Sequence, residues 1–425
     1  MQKMIHNTDG MSLFTQWALA LQHLLAVFAG TLIIPMVTGL PMSGALLFSG
    51  ISTLIFQFFT RGKVALFYSV SFVFLSGMIF IRDTCVAQGL SVSMALCYVC
   101  FGIFVSGMAY VVLGQVLRYV SYQRIMKFFP PVLYGPYIMS LGLVMFSASF
   151  DSIKSDWLVA VVAVAVTIFS QFFFKGAMRL MPINIGIIVA TIVAAFRGNI
   201  DLTPVYEAEW IAQPFDRQYM AFTVFEHLDG SQLAFSVFAI LPLVLVSIVE
   251  HIADLLAISR TTKIDYIRTV GLPRTLSANG LATVLSAMFG APAMTSFSQT
   301  TGLIALNRVC ATRLISLAAI LMIFLAFSPK VVALLAAIPA AAIGGATLLM
   351  YGMVVVVGLR AIVDAKVDFS NLRNLLIFSV VLGLTIGIKY ELKDSVSLFG
   401  LTLSSLTVAG LSGTILNAIL PDKKG

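Results

Sequence analysis

Apolar runs of the length a helix needs to cross a bilayer, about 20 residues, recur from Phe14 to Leu420 with short polar connections between them. They fall near 15–38, 43–60, 63–81, 93–117, 128–148, 157–174, 182–196 and 234–258. Further runs lie near 275–289, 300–309, 312–334, 339–359, 374–389 and 397–420, about fourteen in all. The pattern predicts an all-α polytopic membrane protein, and an even number of crossings returns both termini to one side.

The third and tenth runs are short and interrupted. In the third, Tyr68 to Leu75 is aromatic and β-branched with interspersed serines, a pattern that suits a short strand better than a helix. The tenth is preceded by "GAPAMTSFSQTTG", Gly290 to Gly302, which is neutral, rich in small and hydroxylated residues, and broken by Pro292. Each reads as an extended piece followed by a short apolar half-helix, "LSGMIFI" and "TTGLIALNRV". Irregular backbone at membrane depth is tolerated only where it lines a cavity or is packed in protein. Interruptions at corresponding places in two halves are the mark of a transporter built as an inverted repeat. Segments three and ten correspond if segments one to seven repeat as eight to fourteen. The half-helices would then aim free N–H groups and positive dipole ends at a substrate. Gln299, at such an end, offers an amide suited to a ring with adjacent C=O and N–H groups.

Composition narrows the class. The 425 residues are 60% hydrophobic and 10% charged, against roughly 25% charged in soluble domains. The formal charge of +8 could suggest an anionic partner, but its distribution gives another reading. Nineteen of the 26 Lys and Arg fall on the side of the termini and seven on the other. The positive-inside rule then puts both termini in the cytoplasm, with no nucleic-acid partner. The start, "MQKMIHNTDGMSLFTQW", does not resemble a cleavable signal. The acidic stretch 201–231 is expected to be an extracytoplasmic loop. Cys85, Cys97, Cys100 and Cys310 sit in or beside apolar stretches, and the Cys97–Cys100 CxxC has no His nearby; all four read as packing residues.

Of the 18 Asp and Glu, only Glu250 and Asp254 lie well inside a span, in "LPLVLVSIVEHIADLLAIS". An intramembrane carboxylate costs several kcal/mol, which makes it a functional residue by default. The i, i+4 spacing puts both on one helix face. A merely structural pair would be served at lower cost by a neutral amide, so the expectation is a site for a polar solute, a proton or both. Proton coupling fits the absence of Lys and Arg inside the spans, with sodium as the alternative ion. His23, in "ALQHLLAVFAG", is the other titratable residue inside a span, and a lone histidine there reads as a hydrogen-bonded strut. No HExxH, GxSxG or paired-aspartate motif points to a membrane enzyme. An anion exchanger should offer a net positive site, and this one holds two carboxylates.

The ordered motifs "LQHLLAVFAGTLIIPMVTG", "SVSFVFLSGM", "FFPPVLYG", "TPVYEAEWIAQPF", "VEHIADLLAIS", "SANGLATVLSAMFGAPAMTSFSQTTGLIALNRV" and "IPAAAIGGATLLMYG" span nearly the whole chain. Together they resemble the nucleobase–cation symporter-2, or nucleobase–ascorbate transporter, family. The resemblance implies fourteen segments in two inverted seven-segment repeats. It implies a core (transport) domain from 1–120 and 232–338, a gate domain from 121–200 and 339–425, and the loop 201–231. It also implies substrate between core and gate, proton-coupled uptake and a homodimer in the cytoplasmic membrane, with no cofactor.

By position, the resemblance makes Glu250 the glutamate that binds the base and Gln299 the residue that reads its edge. Ser71, Phe72 and Phe297 line or stack on the ring, and Ser298 offers a backbone contact. Asp254, His23, Asn279 and Thr300 take coupling or supporting positions. Asp254 and Gln299 match purine carriers, whereas Asn279 stands where uracil carriers place asparagine. Thr300 departs from the usual asparagine. The resulting expectation is a purine nucleobase:proton symporter, for xanthine or urate, moving its core against its gate like an elevator. The alternative is a uracil:proton symporter of the same family.

Overall fold

The structure is a computed structural model that describes residues 4–120, 130–175, 182–227, 229–297, 299–392, 395–398 and 401–421. The first half runs α1 (Leu13–Thr38), α2 (Met42–Phe59), β1 (Phe67–Val70), α3 (Leu75–Ala87), α4 (Val92–Val116), α5 (Pro131–Ile153), α6 (Trp157–Phe173) and α7 (Pro182–Phe196). A connection holding α8 (Thr203–Glu207) leads to α9 (Gly230–Ile240), α10 (Leu243–Thr262), α11 (Tyr266–Thr269), α12 (Leu272–Met288), β2 (Met294–Phe297) and α13 (Gln299–Asn307). The chain closes with α14 (Thr312–Ala326), α15 (Pro329–Ala336), α16 (Ala340–Asp364), α17 (Leu372–Glu391), β3 (Ser395–Leu398), β4 (Leu401–Ser404) and α18 (Ser405–Ile419). This is a multi-pass membrane protein of two inverted seven-segment repeats.

Helix packing carries the repeat. α4 packs on α12, and its counterpart α14 packs on α2. α6 packs on α7 as α17 packs on α18, and α5 and α16 pair across the centre. Small residues permit the closest approaches, as is usual where helices meet in lipid. A Cβ at Gly107 of α4 would lie 2.7 Å from the Val284 backbone nitrogen of α12. In the matching pair, a Cβ at Gly50 of α2 would lie 2.5 Å from the Ala319 carbonyl of α14.

Among the described residues, seven helices are long and apolar enough to cross a membrane, or eight if the bent pair α14–α15 counts as one. The other crossings are shorter helices or strand-plus-helix units. The 13 residues of α3 rise only about 20 Å, so β1 supplies the rest of that crossing.

Three expected spans differ in detail. Segment eight begins at Gly230 and is divided at Pro242, whose ring cannot continue the preceding hydrogen-bond ladder. Segment eleven breaks between Ala326 and Pro329 with an 87° bend, because Ser328 before the proline is extended. Segment fourteen starts with the β3–β4 hairpin, which pairs Ser395 with Ser404 and Leu398 with Leu401. Its period-two alternation, "SVSL" and "LTLS", is hidden when hydropathy is averaged over a window.

The acidic stretch lies over the N-terminal half of α4 and the start of α15. Phe222 and Phe225 pack on Phe104 and Phe101, and Lys330 sits 4.7 Å above the Trp210 ring. Asp156 joins the ends of α6 and α7. It accepts from the Val159 and Leu158 N–H groups at the start of α6 and pairs with Arg197 at 2.9 Å. Those N–H groups, Val159 first, and the Arg197 guanidinium hold its carboxyl below the usual range.

Candidate functional site

The two interrupted segments meet at the centre of the molecule. β1 and β2 pair antiparallel, Phe67 with Phe297 through Val70 with Met294, and the Ser71 N–H extends the ladder to the Ala293 carbonyl at 2.8 Å. All eight strand residues are buried. A two-stranded sheet leaves each strand an outer edge, and buried N–H and C=O groups need partners. A threonine of the preceding helix supplies them on both sides. Thr53 of α2 accepts from the Tyr68 N–H at 2.9 Å and donates to the Tyr68 carbonyl at 3.3 Å. Thr283 of α12 accepts from the Met294 N–H at 3.3 Å and donates to the Met294 carbonyl at 3.1 Å.

Beyond the strands, Phe72 and Phe297 come together with ring centroids 6.1 Å apart over α1. Gly30 makes the room: a Cβ there would lie 2.7 Å from the Phe297 ring and 3.6 Å from Phe72. These are the two aromatics expected to face a base. Ser71 is fully buried, with its hydroxyl unpartnered.

α10 runs beside β2. Asp254 is buried, and its Oδ2 accepts from the Ser296 hydroxyl at 2.6 Å. Glu250, one turn away, is partly exposed and keeps one carboxylate oxygen, Oε2, buried without a partner. His251 turns inward, fully buried, with Nδ1 3.1 Å from Ser296 Oγ and 3.5 Å from the Tyr68 hydroxyl. Asn279 of α12 is fully buried with both amide atoms unpartnered. The Tyr110 hydroxyl of α4 and the Ser247 hydroxyl of α10 are also buried and unpartnered. Three helices thus bring buried, unpartnered polar atoms to the interior: Tyr110 on α4, Ser247 and Glu250 on α10, and Asn279 on α12.

The remaining expected residues lie around this centre. His23 is buried in α1 and its Nδ1 makes no hydrogen bond. Thr300 donates to the Phe297 carbonyl at 2.8 Å and so fixes the turn from β2 into α13. Gln299 is the first residue of α13, but its side chain, like the whole of Ser298, lies outside the described residues. Sequence reasoning missed Ser296, Tyr68 and the threonine clamps. Their one signal was hydroxyl residues recurring inside otherwise apolar runs. Two cavities, of about 550 Å³ beside Phe146 and Tyr390 and about 310 Å³ beside Phe215 and Tyr219, include none of the expected residues.

The profile of a permease family matches residues 14–393. The chain belongs to this permease family. The permease is 31% identical to the uracil permease of Bacillus subtilis over 426 aligned residues, covering 97% of this chain and 94% of that one. It is 32% identical to the uracil permease of Bacillus caldolyticus, covering 96% and 93%. In fold the permease is similar to the transmembrane domain of the cyanobacterial bicarbonate transporter BicA, with a TM-score of 0.63 at 14% identity. That likeness covers 98% of this chain and 99% of the other. The family is thus the one the motifs resemble, and it is a family of nucleobase permeases.

Proposed function

We propose that this permease carries uracil inward with a proton, through a site between a core and a gate domain. The observation that carries the substrate is its likeness, over nearly its full length, to uracil permeases. The geometry supports the same shift away from purines. Of the two residues that match purine carriers, Asp254 is engaged by Ser296 within the protein, which leaves the purine case to Gln299 alone. Asn279 matches the uracil carriers.

In this reading Glu250 hydrogen-bonds the ring N–H groups, and its partner-free oxygen is the acceptor that substrate satisfies. Phe72 and Phe297 enclose the ring face. Gln299, at the start of α13, reads an adjacent C=O/N–H edge, and Ser298 adds a backbone contact. Asp254 carries the coupling proton, with His23, Asn279 and Thr300 in support. The core comprises 1–120 and 232–338 and moves against a gate of 121–200 and 339–425, in a homodimer with both termini cytoplasmic. Uptake of radiolabelled uracil, xanthine and urate into cells lacking their own carriers tests the substrate. Saturable uracil uptake that excess xanthine leaves intact is the expected result. Xanthine or urate uptake without uracil uptake would return the purine reading that Gln299 favours.

A further inference from the structure

The contact between Asp254, Ser296 and His251 constrains where hydrogens sit. Ser296 has one hydroxyl hydrogen, and it goes to Asp254 Oδ2 at 2.6 Å. Toward His251 Nδ1, 3.1 Å away, the same oxygen can therefore only accept. Nδ1 must carry the hydrogen, and a neutral His251 then has a bare lone pair on Nε2. That Nε2 is buried and has no partner. The Tyr68 hydroxyl, 3.5 Å from Nδ1, offers a weak second acceptor at most.

We propose that Ser296 and His251 form a proton relay to Asp254, so that protonation of Asp254 is tied to a tautomer switch of His251. This inference rests on proton coupling as proposed above. A proton bound at His251 Nε2 lets the Nδ1 hydrogen pass to Ser296 Oγ as the Ser296 hydrogen passes to Asp254 Oδ2. Within the chain one N–H bond (His251 Nδ1) and one O–H bond (Ser296) break and two O–H bonds (Ser296 and Asp254 Oδ2) form, while the gained proton makes the new N–H bond at Nε2. The product is a neutral carboxylic acid beside a neutral Nε2–H imidazole, with both hydrogen bonds reversed. The competing form, an imidazolium with an ionised Asp254, would keep two charges in the protein interior, which is the costlier state. Ser296 and His251 are thus positioning residues, and Asp254 is the group that charges and discharges.

Other groups titrate elsewhere. The elements packed against α10 bring Tyr68 from β1, Tyr110 from α4 and Tyr134 and Tyr137 from α5, and Asp265, Tyr266 and Arg268 lie at its far end. β2 and α13 carry no titratable side chain. Tyrosine ordinarily titrates near pH 10, so the carboxyl and imidazole groups of Asp254, Glu250, His251 and, on α1, His23 are the proton-exchanging groups of the centre.

The test is the ¹⁵N spectrum of histidine-labelled permease in lipid nanodiscs, followed with pH. The chain has four histidines, and one should be a neutral Nδ1–H form at high pH that converts to Nε2–H as pH falls. Ser296→Ala should abolish the conversion, shift the pH profile of uptake, and lower proton-driven accumulation about tenfold or more. It should leave substrate exchange in place, and Ser296→Thr should restore all three. The absence of any neutral Nδ1–H histidine in the wild-type spectrum at high pH would overturn the relay, whatever the variants do. A wild-type pH profile in well-folded Ser296→Ala would do the same. Neither result depends on which base is carried, so the relay and the substrate assignment fail separately.

Discussion

The third residue of each central strand is a serine, and each serine bonds to the first segment of its own repeat. Ser69 in β1 meets the hydroxyl of Thr31 in α1 at 2.6 Å; Ser296 in β2 donates to the carboxylate of Asp254 in α10 at 2.6 Å. The frame is the same and the chemistry is not. In the first repeat the contact joins two neutral hydroxyls, so it can only hold the strand. In the second it joins a hydroxyl to a group that can lose its charge. The same asymmetry runs through the centre, where α1 contributes His23 and α10 contributes both carboxylates. The two repeats share a scaffold, and only the second carries the carboxylates.

Four substitution experiments put that contrast to the test. The largest effect is expected at Glu250. Glu250→Gln keeps the shape and removes the charge, and it should cut uptake by about 100-fold or more, the scale of losing a charged partner in a buried contact. Wild-type uptake by that variant would remove its central role. Next comes Asp254→Thr, which rebuilds the second contact on the pattern of the first. The protein should fold and exchange substrate yet fail to accumulate it on a proton gradient, whereas Thr31→Val should accumulate normally. Equal losses in the two variants would mean that both contacts are only structural.

A smaller effect is expected where the rings meet. Gly30→Ala would push the Phe297 ring from its place, costing about 1–2 kcal/mol and raising KM roughly tenfold. An unchanged KM would separate Phe297 from substrate. The least effect on uptake is expected in the symmetric part of the frame, where stability is the readout. Thr53→Val and Thr283→Val should each lower stability by about 1–3 kcal/mol through an unpaired strand amide, with similar falls in thermal midpoint. A fall in one alone would show that the halves are not held alike.

Much of this was legible from residue order. The crossings, the strand breaks in segments three and ten, and the carboxylate pair all followed from long apolar runs and their exceptions. Boundaries failed where a window averages away local pattern, as at the β3–β4 hairpin, or where one proline redirects a helix, as at Pro329. His251 was visible between Glu250 and Asp254, but its partner was not, because Ser296 lies on a strand far away in sequence. Thr300 stands in place of the usual asparagine, and its bond to the Phe297 carbonyl makes it a brace of the strand-to-helix turn. The purine expectation rested on Asp254 and Gln299 matching purine carriers by position, and no sequence pattern reveals that the Asp254 side chain is engaged by Ser296.

The pairing of β1 with β2 also has a consequence for biogenesis. The chain emerges from the ribosome with Phe67–Val70 long before Met294–Phe297 exists. Thr53 can cover one edge of β1 at once, but the edge that faces β2 stays open while the helices α3 to α12 are made. An open strand edge cannot rest in lipid. The nascent first repeat must therefore be sheltered by the insertion machinery, or by its own helices closing over the gap, until the tenth segment arrives. The strand crossing at the centre of the finished protein is thus a joint that stays open until the tenth segment is made.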